Sequence, residues 1–168
     1  EIYNHTELRS ELLLRGHQFR TKSDVECVVH LYEEMGTACI NRLNGMFAFA
    51  LFDKKQNRLW LARDRLGIKP LFYSKTDEQF VFSSDLNAIK KIKNVKVKEE
   101  ALIKYLGFSY VPEPETIYHN VCKLGCAEQI IIENSNLKLS SYWPPFNTSP
   151  FFGSIQEATS RLETIIVE

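Results

Sequence analysis

The stretch that decides the fold is residues 43–74, which read LNGMFAFALFDKKQNRLWLARDRLGIKPLFYS. The apolar run at 46–52 is short enough for a strand buried on both faces, and the polar residues at 53–57 suit a turn. A second strand follows at 59–62 and a third at 71–73. This order predicts a hairpin, a loop and another strand, around which the rest of the chain is arranged.

The loop at 63–70 concentrates charge between two strands that must be buried. Its notable residues are Arg63, Asp64, Arg65, Gly67, Lys69 and Pro70. One interpretation is a salt-bridged connector, in which Gly67 supplies an unusual backbone angle and Pro70 stiffens the chain. The other is a rigid loop with a functional role. The loop lacks the glycine spacing of a P-loop, so it does not form a phosphate cradle by itself.

Composition limits the partners and the setting of the protein. The 168 residues suit one domain, and 21 basic residues balance 21 acidic ones. Neutrality gives no support to a nucleic-acid partner, and no apolar run approaches the roughly 20 residues that span a bilayer. Four cysteines show no zinc-site spacing and are expected to be free thiols in a cytoplasmic protein: Cys27, Cys39, Cys122 and Cys126. Neither they nor His5, His17 and His119 indicate a metal site.

Helical patterns are mixed with strands without regular alternation, which predicts an α+β fold rather than a doubly wound parallel sheet. Thr6 is predicted to cap a helix that ends at Gly16. A capping box of Ser23 and Glu26 predicts a second helix, which ends at Gly36. Further elements are a short helix at 39–43, a strand at 80–83, helices at 86–92 and 99–106, and a hairpin of 128–133 with 137–142.

Four residues on these elements have simple structural interpretations. Asp24 falls in the first turn of the second helix, where the helix dipole favours a negative charge. Met46 is interpreted as a core methionine. Cys27 and His30 are three residues apart on one helical face, but no orienting Asn or Asp is evident, so they are interpreted as helix residues rather than a catalytic dyad.

Two long motifs, at 43–53 and 63–73, resemble the glutaminase domain of glutamine-hydrolysing asparagine synthetases. Shorter matches extend the resemblance over most of the chain: EIYNHTELR at 1–9, TKSDVE at 21–26, FSSDLNAI at 82–89 and YLGFSYVPEPETIY at 105–118. That family belongs to the class II glutamine amidotransferases, which are N-terminal-nucleophile hydrolases. The resemblance implies a four-layer αββα sandwich, incomplete at its N-terminus.

The resemblance also implies roles for individual residues. In the family an N-terminal cysteine attacks the glutamine amide and its free α-amino group acts as the base. That nucleophile is expected to lie upstream of Glu1, so this fragment alone is expected to be inactive. Glu1 and Asp24 would bind glutamine, and Met46 would border a tunnel for ammonia. Three loop residues, Arg63, Asp64 and Gly67, would face the synthetase domain.

The domain organisation follows from the same resemblance. Residues 1–143 would form the amidotransferase domain, 144–153 a proline-rich linker, and 154–168 the first helix of the synthetase domain, so both ends are expected to be cut. The full-length protein would use ATP and magnesium, neither of them bound by this fragment. The expected partners are glutamine and the synthetase domain of the same chain, and a homodimer is compatible with both.

Two alternative functions stay open at this point. One is another class II amidotransferase, which would serve an amino-sugar or purine precursor. The other is a non-catalytic interaction module that kept the fold.

Overall fold

A computed structural model describes residues 1–144 and 150–167. This part of the chain contains five α-helices, a 3₁₀ helix and seven strands. In chain order the elements are α1 (His5–Leu14), α2 (Asp24–Met35), the 3₁₀ helix (Gly36–Arg42), β1 (Ala48–Asp53), β2 (Arg58–Arg63), β3 (Phe72–Lys75), β4 (Phe80–Ser83), α3 (Leu86–Ile92), α4 (Glu99–Phe108), β5 (Cys122–Lys123), β6 (Glu128–Glu133), β7 (Asn136–Ser141) and α5 (Ile155–Val167). Residues 145–149 of the predicted linker lie outside the described residues.

The strands form two antiparallel sheets. The first has the order β1-β2-β6-β7, because β6 pairs with β2 and β7 pairs with β6. Ala48 lies opposite Arg63 and Leu51 lies opposite Trp60 in the hairpin of β1 and β2. The second sheet has the order β4-β3-β5. The central strand β2 is therefore covered on both edges.

Successive side chains of β2 point to opposite faces of the first sheet, and a hydrophobic core lies on each face. Trp60 and Ala62 pack with a helical cluster made of Leu8, Leu12, Val28, Leu31 and Tyr32. Leu61 faces the opposite way and packs with Leu71 and Leu124 between the two sheets. Since α3 packs against β3 and β4, the layers run helix, sheet, sheet, helix. The predicted α+β sandwich is confirmed.

Strand β1 departs from the prediction that it is buried on both faces. It is the edge strand of its sheet, its face carrying Phe49 and Leu51 packs against the helical core, and Ala48 on the other face packs against the core between the sheets. Ala50 is exposed on the other face, and Phe52 is 56% exposed. The apolar run at 46–52 does not reveal that part of this face stays open to solvent.

The helix caps were predicted with mixed success. Helix α1 begins at His5 after Asn4, not after Thr6. Ser23 caps α2 by accepting a hydrogen bond from the backbone N–H of Val25, but the Glu26 carboxylate reaches past Ser23 to the N–H groups of residues 20 and 21. The first capping box is therefore only half formed.

The C-terminal region shows a complete capping box and an exposed helix. The backbone N–H of Ser154 donates to Glu157 over 2.6 Å, and the backbone N–H of Glu157 donates to the Ser154 hydroxyl over 3.2 Å. Helix α5 follows, and none of its residues is buried. No helix within residues 1–144 and 150–167 has the length and apolarity that crossing a bilayer requires.

Candidate functional site

A groove of about 1120 Å³ runs beside the edge strand β1. One wall is β1 with the residues just before it, and the other is the face of α2 that carries Val25, Val29 and Tyr32. Glu1 and Asp24 lie at one end of the groove, which also receives Lys69 and Pro70 from the charged loop. A cleft of this size, with apolar walls and a few polar groups, is the usual form of a ligand site.

Both carboxylate oxygens of Asp24 accept hydrogen bonds at the edge of the groove. Its Oδ2 accepts a hydrogen bond from the backbone N–H of Ile2 over 2.7 Å, and its Oδ1 accepts one from the N–H of Val25 over 2.9 Å. The N–H of Ile2 is the largest influence and lowers the pKa of Asp24, although partial burial opposes it. The side chain is 24% exposed, so an ionised carboxylate keeps free lone pairs toward a cationic ligand.

Glu1 and Met46 lie next to Asp24 because the chain start pairs with the segment before β1. The backbone N–H of Met46 donates to the carbonyl oxygen of Glu1 over 3.0 Å, and Ile2 bridges to Gly45. Gly45 has a φ of +151°, and an added Cβ would overlap the Glu1 carbonyl oxygen. A glycine is required here so that the two backbones approach closely. The structure thus brings together Glu1, Asp24 and Met46.

Arg63 lies away from these three residues, behind the charged loop, and is only 1% exposed. Its Nε donates to the carbonyl oxygen of Lys69 over 2.7 Å, and its Nη1 donates to the carbonyl oxygen of Leu124 over 2.5 Å. The same nitrogen lies 2.9 Å from a carboxylate oxygen of Glu113. A further bond joins Nη2 to the carbonyl oxygen of Gly67. The guanidinium therefore holds the loop from inside.

Asp64 is equally buried, at 1% exposed, and organises the other side of the loop. Its carboxylate accepts hydrogen bonds from four backbone N–H groups, those of Phe47, Leu66, Ile68 and Lys69, over 2.9 to 3.3 Å. Gly67 has a φ of +65°, in the left-handed region. These contacts give the loop a single shape.

The charges of Arg63 and Asp64 are both used inside the loop, and the contact of Arg63, Asp64 and Gly67 with a neighbouring domain stays a prediction. The loop instead exposes two apolar side chains, Leu66 at 71% and Ile68 at 55%. Arg65 is the one of the three charged residues that stays near the surface, where it donates to the carbonyl oxygen of Asn41. A role of the loop toward another domain remains a proposal.

Three of the four cysteines are poorly suited to nucleophilic attack. Cys27 and Cys39 are fully buried, and burial raises the pKa of Cys27 and raises that of Cys39 to about 12. Burial, followed by the nearby Glu113 carboxylate, raises the pKa of Cys126. The Cys27 thiol donates to the carbonyl oxygen of His5, and His30 points elsewhere. Within the described residues, Cys27 and His30 share no hydrogen bond.

Sequence reasoning missed several residues that shape the site. Lys69 and Pro70 line the groove, although the charged loop was expected to be a connector or to face another domain. Tyr142 donates from its hydroxyl to the carbonyl oxygen of Arg63 over 2.7 Å, across 79 residues of sequence. The density of charge in the loop was the available signal that Arg63 needed partners, but their identity depends on distant segments.

Comparison with known proteins identifies the family of this chain. Residues 1–143 match the family described as glutamine amidotransferase domain. The chain is 38% identical to asparagine synthetase [glutamine-hydrolyzing] 3 of Bacillus subtilis, over 85% of this chain and 24% of that protein. Asparagine synthetase [glutamine-hydrolyzing] 1 of the same organism is also 38% identical, over 79% of this chain and 21% of its own length. The chain thus spans about a quarter or less of the length of these relatives.

Solved structures show the same fold at lower identity. A glutamine phosphoribosylpyrophosphate amidotransferase from B. subtilis superposes with a TM-score of 0.57 at 20% identity, over 84% of this chain and 27% of that one. A structure described as the allosteric regulatory enzyme of purine biosynthesis gives 0.59 at 20% identity, with the same coverage. These neighbours support an α+β fold of the N-terminal-nucleophile hydrolase type. Residues 1–143 of this chain belong to the glutamine amidotransferase domain family.

Proposed function

We propose that this chain is the glutaminase part of an asparagine synthetase. It would release ammonia from the side-chain amide of glutamine for the ATP-dependent amidation of aspartate. The observation that carries the proposal is the groove beside β1, in which Asp24 is held by the N–H of Ile2 and stays open on one side. The names of the relatives support the choice of asparagine synthetase over other amidotransferases.

Glutamine would lie with its α-ammonium group on Asp24. A carboxylate in a partly apolar groove suits an ammonium group, since a charge-assisted hydrogen bond is stronger than a neutral one. Glu1 would add a second acceptor from the same end of the groove. Met46 follows Glu1 in the backbone pairing, so we place it at the start of the path by which ammonia leaves.

The nucleophile would come from residues upstream of Glu1. In the amidotransferase reaction a thiolate attacks the amide carbon, ammonia leaves, and water hydrolyses the resulting thioester to glutamate. The raised pKa values of Cys27, Cys39 and Cys126 make these three thiols unsuitable for the first step. We therefore expect this chain by itself to leave glutamine intact.

The remaining chain would connect to the synthetase domain. We assign 1–143 to the amidotransferase domain, 144–153 to a linker and 154–168 to the first helix of the synthetase domain. The exposed apolar residues of α5 support this assignment, because they need a surface to pack on. ATP and magnesium would bind in the synthetase domain of the full-length protein, which we place in the cytoplasm.

Replacing Asp24 tests the proposal. In the full-length protein, Asp24→Asn keeps the size of the side chain but removes the charge that pairs with the substrate ammonium. A hydrogen bond to a charged group is worth about 1.5–3 kcal/mol, so the KM for glutamine should rise about ten- to hundredfold. Asparagine formation from free ammonia should keep its rate. Both are measured by quantifying asparagine with each nitrogen source.

Asp85→Asn is the matched control. Asp85 caps α3 by accepting a hydrogen bond from the N–H of Asn87. Like Asp24, it is an aspartate that accepts from a backbone N–H at the start of a helix, but it lies outside the groove. This variant should use glutamine and ammonia as the wild type does. If Asp24→Asn reduced both activities equally, Asp24 would be only a structural residue and the assignment would fail.

A further inference from the structure

Two histidines meet at the connection between α1 and α2; neither lines the groove, although the neighbouring Glu33 does. His17 lies in the connecting segment and His30 lies in α2, thirteen residues further on. Their Nδ1 atoms are 3.1 Å apart, and the rings pack edge to face with centroids 4.9 Å apart. Both side chains are about 15% exposed. Phe19 packs against the His30 ring and helps to fix its position.

A carboxylate completes a triangle of ligand atoms. Oε2 of Glu33 lies 3.0 Å from Nδ1 of His30 and 3.6 Å from Nδ1 of His17. The three sides of the triangle are therefore 3.0, 3.1 and 3.6 Å. A tetrahedral zinc ion with bonds of about 2.0–2.1 Å places its ligands about 3.3 Å apart. The sides of the triangle are therefore close to the ligand separations that one zinc ion needs.

The outer nitrogens of both rings face carboxylates. Nε2 of His17 lies 3.0 Å from Oε1 of Glu34, and Nε2 of His30 lies 3.7 Å from Oε1 of Glu26. When each Nε2 carries the proton, each Nδ1 presents a lone pair toward the triangle. Metal-binding histidines usually have such a carboxylate behind them, because it fixes the tautomer and raises the basicity of the ligand.

The surrounding charge favours a cation at this point. Three carboxylates surround the two rings, those of Glu26, Glu33 and Glu34, and of these three Arg15 pairs with Glu34. The local charge is therefore negative whenever the histidines are neutral.

We propose that His17, His30 and Glu33 bind a divalent transition-metal ion, with zinc as the ion that the ligands fit best. Two imidazole nitrogens and one carboxylate oxygen suit zinc, whereas magnesium and calcium prefer oxygen ligands throughout. Glu33 lies on the exposed side, so solvent supplies the fourth ligand. The ion joins the connecting segment to the helix that carries Asp24, and so it stabilises the position of that helix.

Metal titration of the full-length natural chain tests the site. The protein, with its exposed Cys126 replaced by Ser, is freed of metal and titrated with ZnCl₂ by calorimetry and with CoCl₂ by visible absorption. The expected results are one tight site per chain, the intense d–d bands of tetrahedral Co²⁺, and a rise in melting temperature with added zinc, since an ion that binds the folded state stabilises it.

Three variants decide the ligands, and one serves as the control. His17→Gln, His30→Gln and Glu33→Gln should each weaken zinc binding at least tenfold and abolish the tetrahedral cobalt spectrum. Glu33 is exposed, so its replacement leaves folding intact, which circular dichroism checks. His119→Gln changes an exposed histidine elsewhere and should bind as the wild type does. Octahedral cobalt spectra in the wild type, or equal zinc affinity in Glu33→Gln and the wild type, would overturn the proposal.

Discussion

Arg63 and Asp64 show how two charged residues become internal supports. Each is 1% exposed, yet the guanidinium and the carboxylate both find several partners. A buried charge is tolerated only when hydrogen bonds replace its water, and here backbone groups of the loop supply most of them. The two side chains therefore fix the loop conformation, and the backbone of Gly67 must fit between them.

Replacing Gly67 should damage the loop. Gly67→Val places a β-branched side chain at a φ of +65°, and its Cβ would lie 2.7 Å from the Cys126 sulfur and 2.9 Å from the Arg63 guanidinium. We expect a loss of about 2–3 kcal/mol in the free energy of unfolding, from backbone strain together with the displaced contacts. Urea denaturation followed by circular dichroism measures it.

Gly107→Ala is the control, with the opposite sign. Gly107 lies within α4, and an added Cβ would meet nothing within 4 Å. Alanine there should stabilise the protein by about 0.5–1 kcal/mol, because glycine loses more backbone entropy in a helix. If Gly67→Val left stability unchanged, the loop would be mobile enough to relax around the new side chain and its internal support would be refuted.

Helix α5 is the element with the least support from the rest of the chain. Its apolar residues are exposed, among them Ile155, Leu162, Ile165 and Ile166. A single helix of thirteen residues is marginal in water by itself. It therefore needs a partner, which the proposed domain boundary places in the synthetase domain.

Removing this helix should leave the amidotransferase domain stable. A chain ending at residue 144 loses no buried residue of α5, so its free energy of unfolding should change by less than about 0.5 kcal/mol. The melting temperatures of the two chains are compared by calorimetry, and the shorter chain should also aggregate less because an exposed apolar stripe is gone. A drop of several degrees would place α5 in the fold of the first domain.

Elements with strong local signals were predictable from the sequence. The hairpin of β6 and β7 was predicted at 128–133 and 137–142 and is confirmed within one residue at each end. Helices α3 and α4 were likewise predicted, the second two residues short. Their apolar spacing, turn residues and capping groups all lie within a few positions of one another, so no distant segment is needed to specify them.

Features that depend on distant segments could not be predicted. The apolar run of β1 does not say that the strand lies at an edge, because edge position is decided by which strands pair with β2. The burial of Arg63 depends on Glu113 and Leu124, which are 50 and 61 residues away. His17 and His30 have no metal-site spacing, since a turn between two helices brings them together.

At the scale of the whole molecule, the layered fold is sensitive to pH at both extremes. Hydrogen bonds to the carboxylates are the leading cause of lowered pKa values at Glu11, Asp24, Asp53 and Glu115. The stability that these carboxylates contribute is present above their pKa values in the unfolded chain, about 4. It is lost as the pH falls through their pKa values in the folded protein. Burial acts oppositely on tyrosine: it raises the pKa of Tyr73 to about 12, and it also raises that of Tyr142.

Stability should therefore be highest between about pH 5 and pH 9. Above about pH 10 the tyrosines ionise in the unfolded chain but stay neutral in the folded one, so the free energy of unfolding falls. Tyr73→Phe removes one of these groups and should make the alkaline loss shallower while the acid loss stays the same. Urea denaturation across the pH range measures both limbs, and an unchanged alkaline limb in the variant would contradict the assignment.

The contacts of Arg63 also make this residue a non-covalent cross-link. Its guanidinium binds Glu113 and Leu124, and so it joins the ends of two chain segments, of 50 and 61 residues. A disulfide in these places would open in a reducing compartment, whereas hydrogen bonds of a guanidinium do not depend on redox conditions. A protease cut between the loop and Glu113 would therefore leave two pieces that are still fastened at this point.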